Sequence, residues 1–413
     1  MRQDYQGTIN ACYLGYITQA IVVNLAPLLF VTFQREFSIS LERIGLLVSV
    51  NFGVQIFTDL AAAPWIDRTG HRAPVVLAHA LASIGLLLMG LLPRMLPDAY
   101  LGLCIATVVM AVGGGLIEVL ISPIVESCPH EHKASQMSLL HSFYCWGQVL
   151  VVAASTAYLV TAGERDWIYL PMIWALIPSV NCFFFARVPL MKLVDEHERT
   201  PLSKLFSTGV FYALLLMMVA SGAAELAVAQ WASLFAEEGL GVSKAIGNLL
   251  GPCAFAMLMG LARLFYGVKG SRINLNMALS ASAVLCVASY LVAVFAPWPL
   301  VSLIACAVTG LSVAMMWPGT LSLSSRTYPT GGSAMFAMLA LAGDVGGTVG
   351  PGLVGILSAR VVNGSLSGML PWFPGEGVVE AGLKTGLLLS IVFPLSLLFF
   401  VYWLQKKRGA GDI

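Results

Sequence analysis

Twelve stretches of about 20 mainly apolar residues follow one another along this chain, and no other feature narrows its fold so far. A run of that length matches the hydrocarbon thickness of a bilayer. Inside hydrocarbon every backbone N–H and C=O must find a partner within the protein, which leaves helices and closed barrels. Runs this long are too long for barrel strands, so the expected fold is all-α, with twelve transmembrane helices. Their approximate limits are 9–33, 41–64, 74–92, 99–125, 136–161, 168–186, 206–235, 244–267, 274–296, 299–325, 333–359 and 380–404. With 58% hydrophobic and 10% charged residues, against about 25% charged in a soluble domain, the chain carries more apolar surface than a water-facing fold could cover. The first run exceeds the length of a signal-peptide apolar region and is read as a retained span.

An even number of spans puts both termini on one side, and the Lys/Arg bias says which. If the termini are cytoplasmic, the inner segments hold fifteen of the 22 Lys and Arg residues and the outer segments seven. The charged stretch "RVPLMKLVDEHERTPLSK" (187–204) then falls inside and the long loop 360–380 outside. The charged stretch also divides the chain. The expected organisation is a six-helix bundle over 1–186, a cytoplasmic linker over 187–205 and a second six-helix bundle over 206–413. "WIDRTGHR" (65–72) after span two and "LARLFYGVKGSR" (261–272) after span eight hint at an internal repeat, a plan common among transporters that bind solute near the bilayer midplane.

Eight cysteines lie singly, mostly within apolar runs, and read as small hydrophobes. No H-E-x-x-H or G-x-S-x-G motif is present, so an enzyme is not expected, and neither is a cofactor. "CPHEH" (128–132) has metal-ligand residue types but sits in a short inner loop, and no metal site is expected there. A net charge of +1 gives no reason to expect nucleic acid as a partner.

The chemistry concentrates in three acids placed deep in apolar runs: Glu118 in span four, Glu225 in span seven and Asp344 in span eleven. An Asp, Lys or Arg at the centre of a membrane helix costs about 2.5–3.5 kcal/mol on insertion scales. Such groups face a bundle interior or a wet cavity. Helical spacing puts Gly114, Glu118 and Ser122 on one face, and Ser221, Gly222, Glu225 and Ala229 on another. Asp344 shares its face with Gly347, Thr348 and Pro351, while span two lines up Asn51, Gln55, Thr58 and Asp59. Span one adds Tyr13, Tyr16, Ala20 and Asn24. No basic residue is expected at comparable depth. Glu118, Glu225, Asp344, Asn24 and Gln55 are therefore candidates for binding substrate or protons, with Tyr144, Trp317 and Trp231 as aromatic faces. The competing reading for each acid is a protonated carboxyl gluing helices together.

"DRTGHR" (67–72), between spans two and three, resembles the signature loop of the major facilitator superfamily. Asp67, Arg68, Gly70 and Arg72 match that signature. His71 stands where an Arg is common, and Ala63 where the signature opens on Gly. The resemblance implies two pseudo-symmetric six-helix bundles and a gating role for Asp67, Arg68, Gly70 and Arg72. A narrower resemblance is to the fucose permease branch, whose members couple sugar entry to protons. "GGGLIEVLISPIV" with "LLHSFYCWGQ" (113–148), "SGAAELAVAQW" (221–231), "GLSVAMMWPGTLSLSSRTYP" (310–329) and "AGDVGGTVGPGLVGIL" (342–357) are similar to its spans four and five, seven, ten and eleven. Glu118 and Glu225 fall on that branch's acids. The branch's first-span Asp is not carried over, because Pro27 occupies its position and the nearest polar residue is Asn24.

The expected function is secondary active transport of a small neutral polar solute, a sugar by the resemblance, coupled to protons by alternating access. A carboxylate-lined cavity disfavours an anionic substrate, since a second negative charge at low dielectric is costly. The alternative is proton-coupled export of cationic or amphipathic compounds. Exporters of this kind carry G-x-x-x-G-P in span five, whereas here the string occurs in span eleven, from Gly346 to Pro351. The expected setting is a bacterial plasma membrane, with lipid around a monomer. The orientation is open to direct test. Single cysteines at Asp195 and Gly375, in a cysteine-free background, are expected to label from opposite sides of the membrane; labelling from one side contradicts it.

Overall fold

The computed structural model describes residues 5–128, 133–190, 202–269, 274–328, 330–366 and 377–409. All regular structure among them is helical. Twelve helical stretches are long and apolar enough to cross a membrane: Gln6–Leu28, Leu41–Ala62, Arg72–Met95, Ala99–Val125, Leu139–Ala162, Tyr169–Arg187, Gly209–Gly239, Lys244–Tyr266, Leu275–Phe295, Pro299–Thr327, Met338–Val362 and Val378–Lys407. They are numbered here as spans one to twelve. Their ends fall within a few residues of the hydropathy limits, because chain length in hydrocarbon is what sets both.

The departures have local causes. Span one stops at Leu28 instead of running to Phe33: Pro27 lies in its last turn, Leu29 breaks the helix, and a separate helix covers Phe30–Phe37. Spans seven and eight each contain a π-helical turn, Phe235–Gly239 and Leu249–Cys253. Span starts are capped where a short polar side chain precedes the apolar run. Asp98 accepts from the Tyr100 N–H at 2.9 Å, and Asn274 from the Met277 N–H at 3.2 Å.

The chain forms two compact units, Met1–Ser40 with Val50–Asp195, and Leu41–Ser49 with Glu196–Ile413. In the first, span three packs along span four, span one along span five, and span three against span six. In the second, span nine pairs with ten, seven with eleven, and nine with twelve. The pairing pattern is the same with six added to each number, as expected of a repeat.

Close approach depends on residues without a side chain. A Cβ on Gly113 would lie 2.6 Å from the Ala78 carbonyl oxygen, and one on Gly147 would lie 2.9 Å from the Ala20 Cβ. In the second unit, a Cβ on Gly222 would run into the Gly343 carbonyl, and one on Gly346 into the Val219 carbonyl. The start of span two belongs to this second unit, with the Gly45 Cβ position only 3.0 Å from the Gly355 Cα and the Ser49 hydroxyl donating to the Thr348 O at 3.3 Å. In lipid, such small-residue seams supply much of the association between helices.

One end of the first unit is tied by charge. The Arg94 guanidinium meets Glu36 at 2.8 Å, and the buried Trp167 indole N–H donates to the same carboxylate at 2.5 Å. Gly346→Ala is expected to lower stability by about 1–3 kcal/mol through overpacking against a backbone that cannot retreat. Gly53→Ala, whose Cβ meets nothing within 4 Å, is expected to leave it unchanged. Melting temperatures of the two purified variants compare them directly.

Candidate functional site

Glu118 sits half-buried on span four, and the structure gives it a specific partner. The Gln19 side-chain nitrogen, on span one, donates to Glu118 Oε2 at 3.1 Å and to Gln55 Oε1, on span two, at 2.9 Å. Gln19 is 4% exposed and Gln55 1%. Three helices thus meet in one hydrogen-bonded layer. The three glycines in the turn before Glu118 make this possible. Gly113 lets span four lie on span three, Gly114 faces the Gln19 and Gln55 amides, and Gly115 faces Thr58 and Asp59.

One helical turn along span four, Ser122 Oγ lies 3.0 Å from the Tyr16 hydroxyl, and the Tyr16 ring sits 5.1 Å from that of His141 on span five. Tyr13 stacks on Phe143 with centroids 4.2 Å apart. In the other direction along span one, the Asn24 amide donates to the Ala20 carbonyl at 2.9 Å and reaches the Tyr144 hydroxyl at 3.4 Å. The predicted residues Glu118, Gln55, Asn24 and Tyr144 therefore lie along one polar seam formed by spans one, two, four and five. Sequence reading missed Gln19 and His141. Gln19 follows Tyr16 by three residues and shares its face, so its position carried the signal.

The second unit requires a correction. No basic residue was expected at the depth of the acids, yet Arg263 reaches Glu225 at 3.3 Å, with side-chain exposures of 15% and 11%. Arg263 falls near the end of the eighth apolar run and was counted with the inner segments. A long side chain on a packed helix can extend back along it, which residue position alone does not reveal. Lys384, counted outside, is likewise buried at 2% exposure and pairs with Glu380 one turn away at 3.0 Å. Removing one residue from each side leaves the direction of the charge bias unchanged.

Asp344 is buried at 5% exposure beside the seam where Gly343 and Gly347 meet Gly222. The half-buried Trp317 ring fills the space next to Gly343 that a Cβ would need. Trp231 is fully buried and its indole N–H donates to the Pro351 carbonyl at 3.0 Å, a packing position. The Gly346 to Pro351 string is packed on span seven through Gly346 and Gly350.

In the signature loop, Gly70 takes a φ of +72°, a left-handed turn that glycine adopts without strain. The Arg72 guanidinium donates to the carbonyls of Phe185, Ala186 and Val188 at 3.0, 2.8 and 2.8 Å. It thereby caps the last helix of the first unit, where carbonyls lack intrahelical partners and the helix dipole favours a cation. The Asp67 and Arg68 side chains, and residues 129–132 of the "CPHEH" stretch, lie outside the described residues.

With this geometry in place, comparison with known proteins is informative. The sequence profile of the Major Facilitator Superfamily matches residues 12–351. Among solved structures, a bacterial homologue of the human lysosomal transporter Spinster, inward-facing and unoccupied, aligns with a TM-score of 0.74 at 15% identity over 98% of both chains. The E. coli fucose:proton symporter aligns at 0.66 and 16% identity, covering 97% of this chain and 99% of its own. A D-xylose–proton symporter aligns at 0.73 and 15%, covering 94% and 96%. At these identities the likeness speaks for the fold.

The buried pair yields a prediction. Arg263→Met leaves the Glu225 carboxylate without this cation and is expected to cost about 3–5 kcal/mol. The double change Arg263→Met with Glu225→Gln is expected to recover much of the loss. A double-mutant cycle on thermal or denaturant stability measures the coupling.

Proposed function

The chain belongs to the major facilitator superfamily, an integral membrane transporter family, and from that premise we propose that it moves a small neutral polar solute, of the sugar or polyol class, by proton-coupled alternating access. The observation that carries this reading is the Gln19–Gln55–Glu118 layer. A carboxyl that can gain or lose a proton is set among amides and hydroxyls, groups that match the donor and acceptor pattern of a polyhydroxylated ring. Tyr144, at the edge of the seam, offers a hydroxyl and a ring face. In the second unit Arg263 offsets the charge of Glu225, which leaves Glu118 as the leading proton carrier, with Asp344 behind it. Two sugar–proton symporters are among the proteins that share this fold.

In this reading the bundles 1–186 and 206–413, joined by a cytoplasmic linker, rock about the solute. Asp67, Arg68 and Gly70 of the signature loop gate that motion, and Arg72 holds the end of span six while they do so. The protein works as a monomer in a plasma membrane with both termini inside. The export alternative lacks its G-x-x-x-G-P string in span five, and the similar string from Gly346 to Pro351 in span eleven has a structural use, since its glycines pack on span seven.

Proteoliposomes loaded with neutral sugars and polyols, and in parallel with organic cations, test the class. Glu118→Gln retains shape and hydrogen bonding but cannot titrate. It is expected to keep solute exchange at near wild-type rate while losing accumulation driven by a pH gradient. Full accumulation by Glu118→Gln removes the coupling role. Loss of exchange as well assigns Glu118 to solute binding.

A further inference from the structure

Gln19 links Glu118 on span four to spans one and two. Its side-chain nitrogen has two hydrogens, and both are in use: one on Glu118 Oε2 at 3.1 Å and one on Gln55 Oε1 at 2.9 Å. Gln19 Oε1 and Gln55 Nε2 have no hydrogen-bond partner among the described residues. Each amide therefore has one half engaged and one half idle, at 4% and 1% exposure.

An N–H aimed at Glu118 Oε2 makes that oxygen an acceptor, the arrangement that suits an ionised carboxylate. Let a proton from water bind Oε2. Two hydrogens would then face each other across the contact. A half-turn of the Gln19 amide removes the conflict, because its oxygen comes round to accept from the new O–H. That oxygen now also faces Gln55 Oε1, and a half-turn of the Gln55 amide brings its nitrogen round to donate. The number of hydrogen bonds in the layer is the same before and after. One O–H bond forms, and the amides keep all their hydrogens.

We infer that Gln19 and Gln55 form a two-state hydrogen-bond relay that passes the protonation state of Glu118 from span four to spans one and two. The relay rests on the proposal that Glu118 exchanges a proton. Gln19 and Gln55 are positioning residues in it. Buried amides suit the task, since an amide exchanges donor for acceptor by rotation alone and carries no charge through the apolar interior. Other titratable groups face this region: Asp59 from span two, close to Gly115; Tyr16 from span one, bonded to Ser122; and His141 and Tyr144 from span five.

Infrared difference spectra on an acid step, recorded on the full chain in lipid with glutamine isotope-labelled at its side-chain carbonyl, test the relay without a solute. The expected result is a carboxyl band that Glu118→Gln abolishes, accompanied by shifts of two labelled amide carbonyl bands. Gln19→Met is expected to abolish both amide shifts and keep the carboxyl band. Gln55→Met is expected to abolish one amide shift, and it serves alone if Gln19→Met does not fold. A Glu118 carboxyl band with unmoved amide bands overturns the relay and leaves proton exchange at Glu118 standing. Absence of any band that Glu118→Gln removes overturns both. A band assigned instead to Asp59 or His141, by its loss in Asp59→Asn or His141→Gln, does the same.

Discussion

Hydrocarbon cannot solvate a dipole, and this chain is organised around that fact. Backbone groups close on themselves as helices. The polar side chains then have to find one another, since water is not there to receive them. Their meeting places are fixed by where two helices can come close, and that is decided by glycine. Gly113, Gly114 and Gly115 let span four touch three other spans within one turn, and Glu118 follows immediately. The polar layer of the first unit depends on this junction. So does the seam of the second unit, where Gly222, Gly343, Gly346 and Gly350 bring spans seven and eleven together beside Asp344.

The two units repeat a pairing of helices but treat their acids differently. In the first, a carboxylate is held by an amide that is itself held by another amide. In the second, a carboxylate on span seven is held by a guanidinium on span eight. A buried ion pair is costly to break and fixes charge in place. A carboxyl among amides can be neutralised by a proton, because amides answer it by rotation and leave no charge unpaired. The proposal of proton exchange in the first unit rests on this asymmetry.

The number and extent of the spans were legible in the sequence because hydropathy and bilayer thickness impose them directly. So were the faces: Tyr16, Asn24, Gln55, Glu118 and Ser122 do converge in the first unit. Pairings between helices were not legible, since spacing along one helix says nothing of what stands opposite. Gln19 shares a face with Tyr16 but stood in an apolar run as one polar residue among several. Arg263 was misplaced because it lies within span eight itself, where Glu225 of span seven stands within 3.3 Å of its guanidinium. Arg72 was legible as part of a signature loop, while its use as a cap for span six depends on where a helix more than a hundred residues away terminates.

The central claim is that solute and proton are linked at the amide–carboxyl layer of the first unit. The most direct measurement is proton uptake by purified protein in weakly buffered solution when a sugar or polyol that stabilises it thermally is added. The account predicts a net proton exchange that disappears in Glu118→Gln while the thermal stabilisation persists. Stabilisation by the solute with no proton movement in the unmodified protein, at any pH across the titration range of a carboxylate, would contradict it.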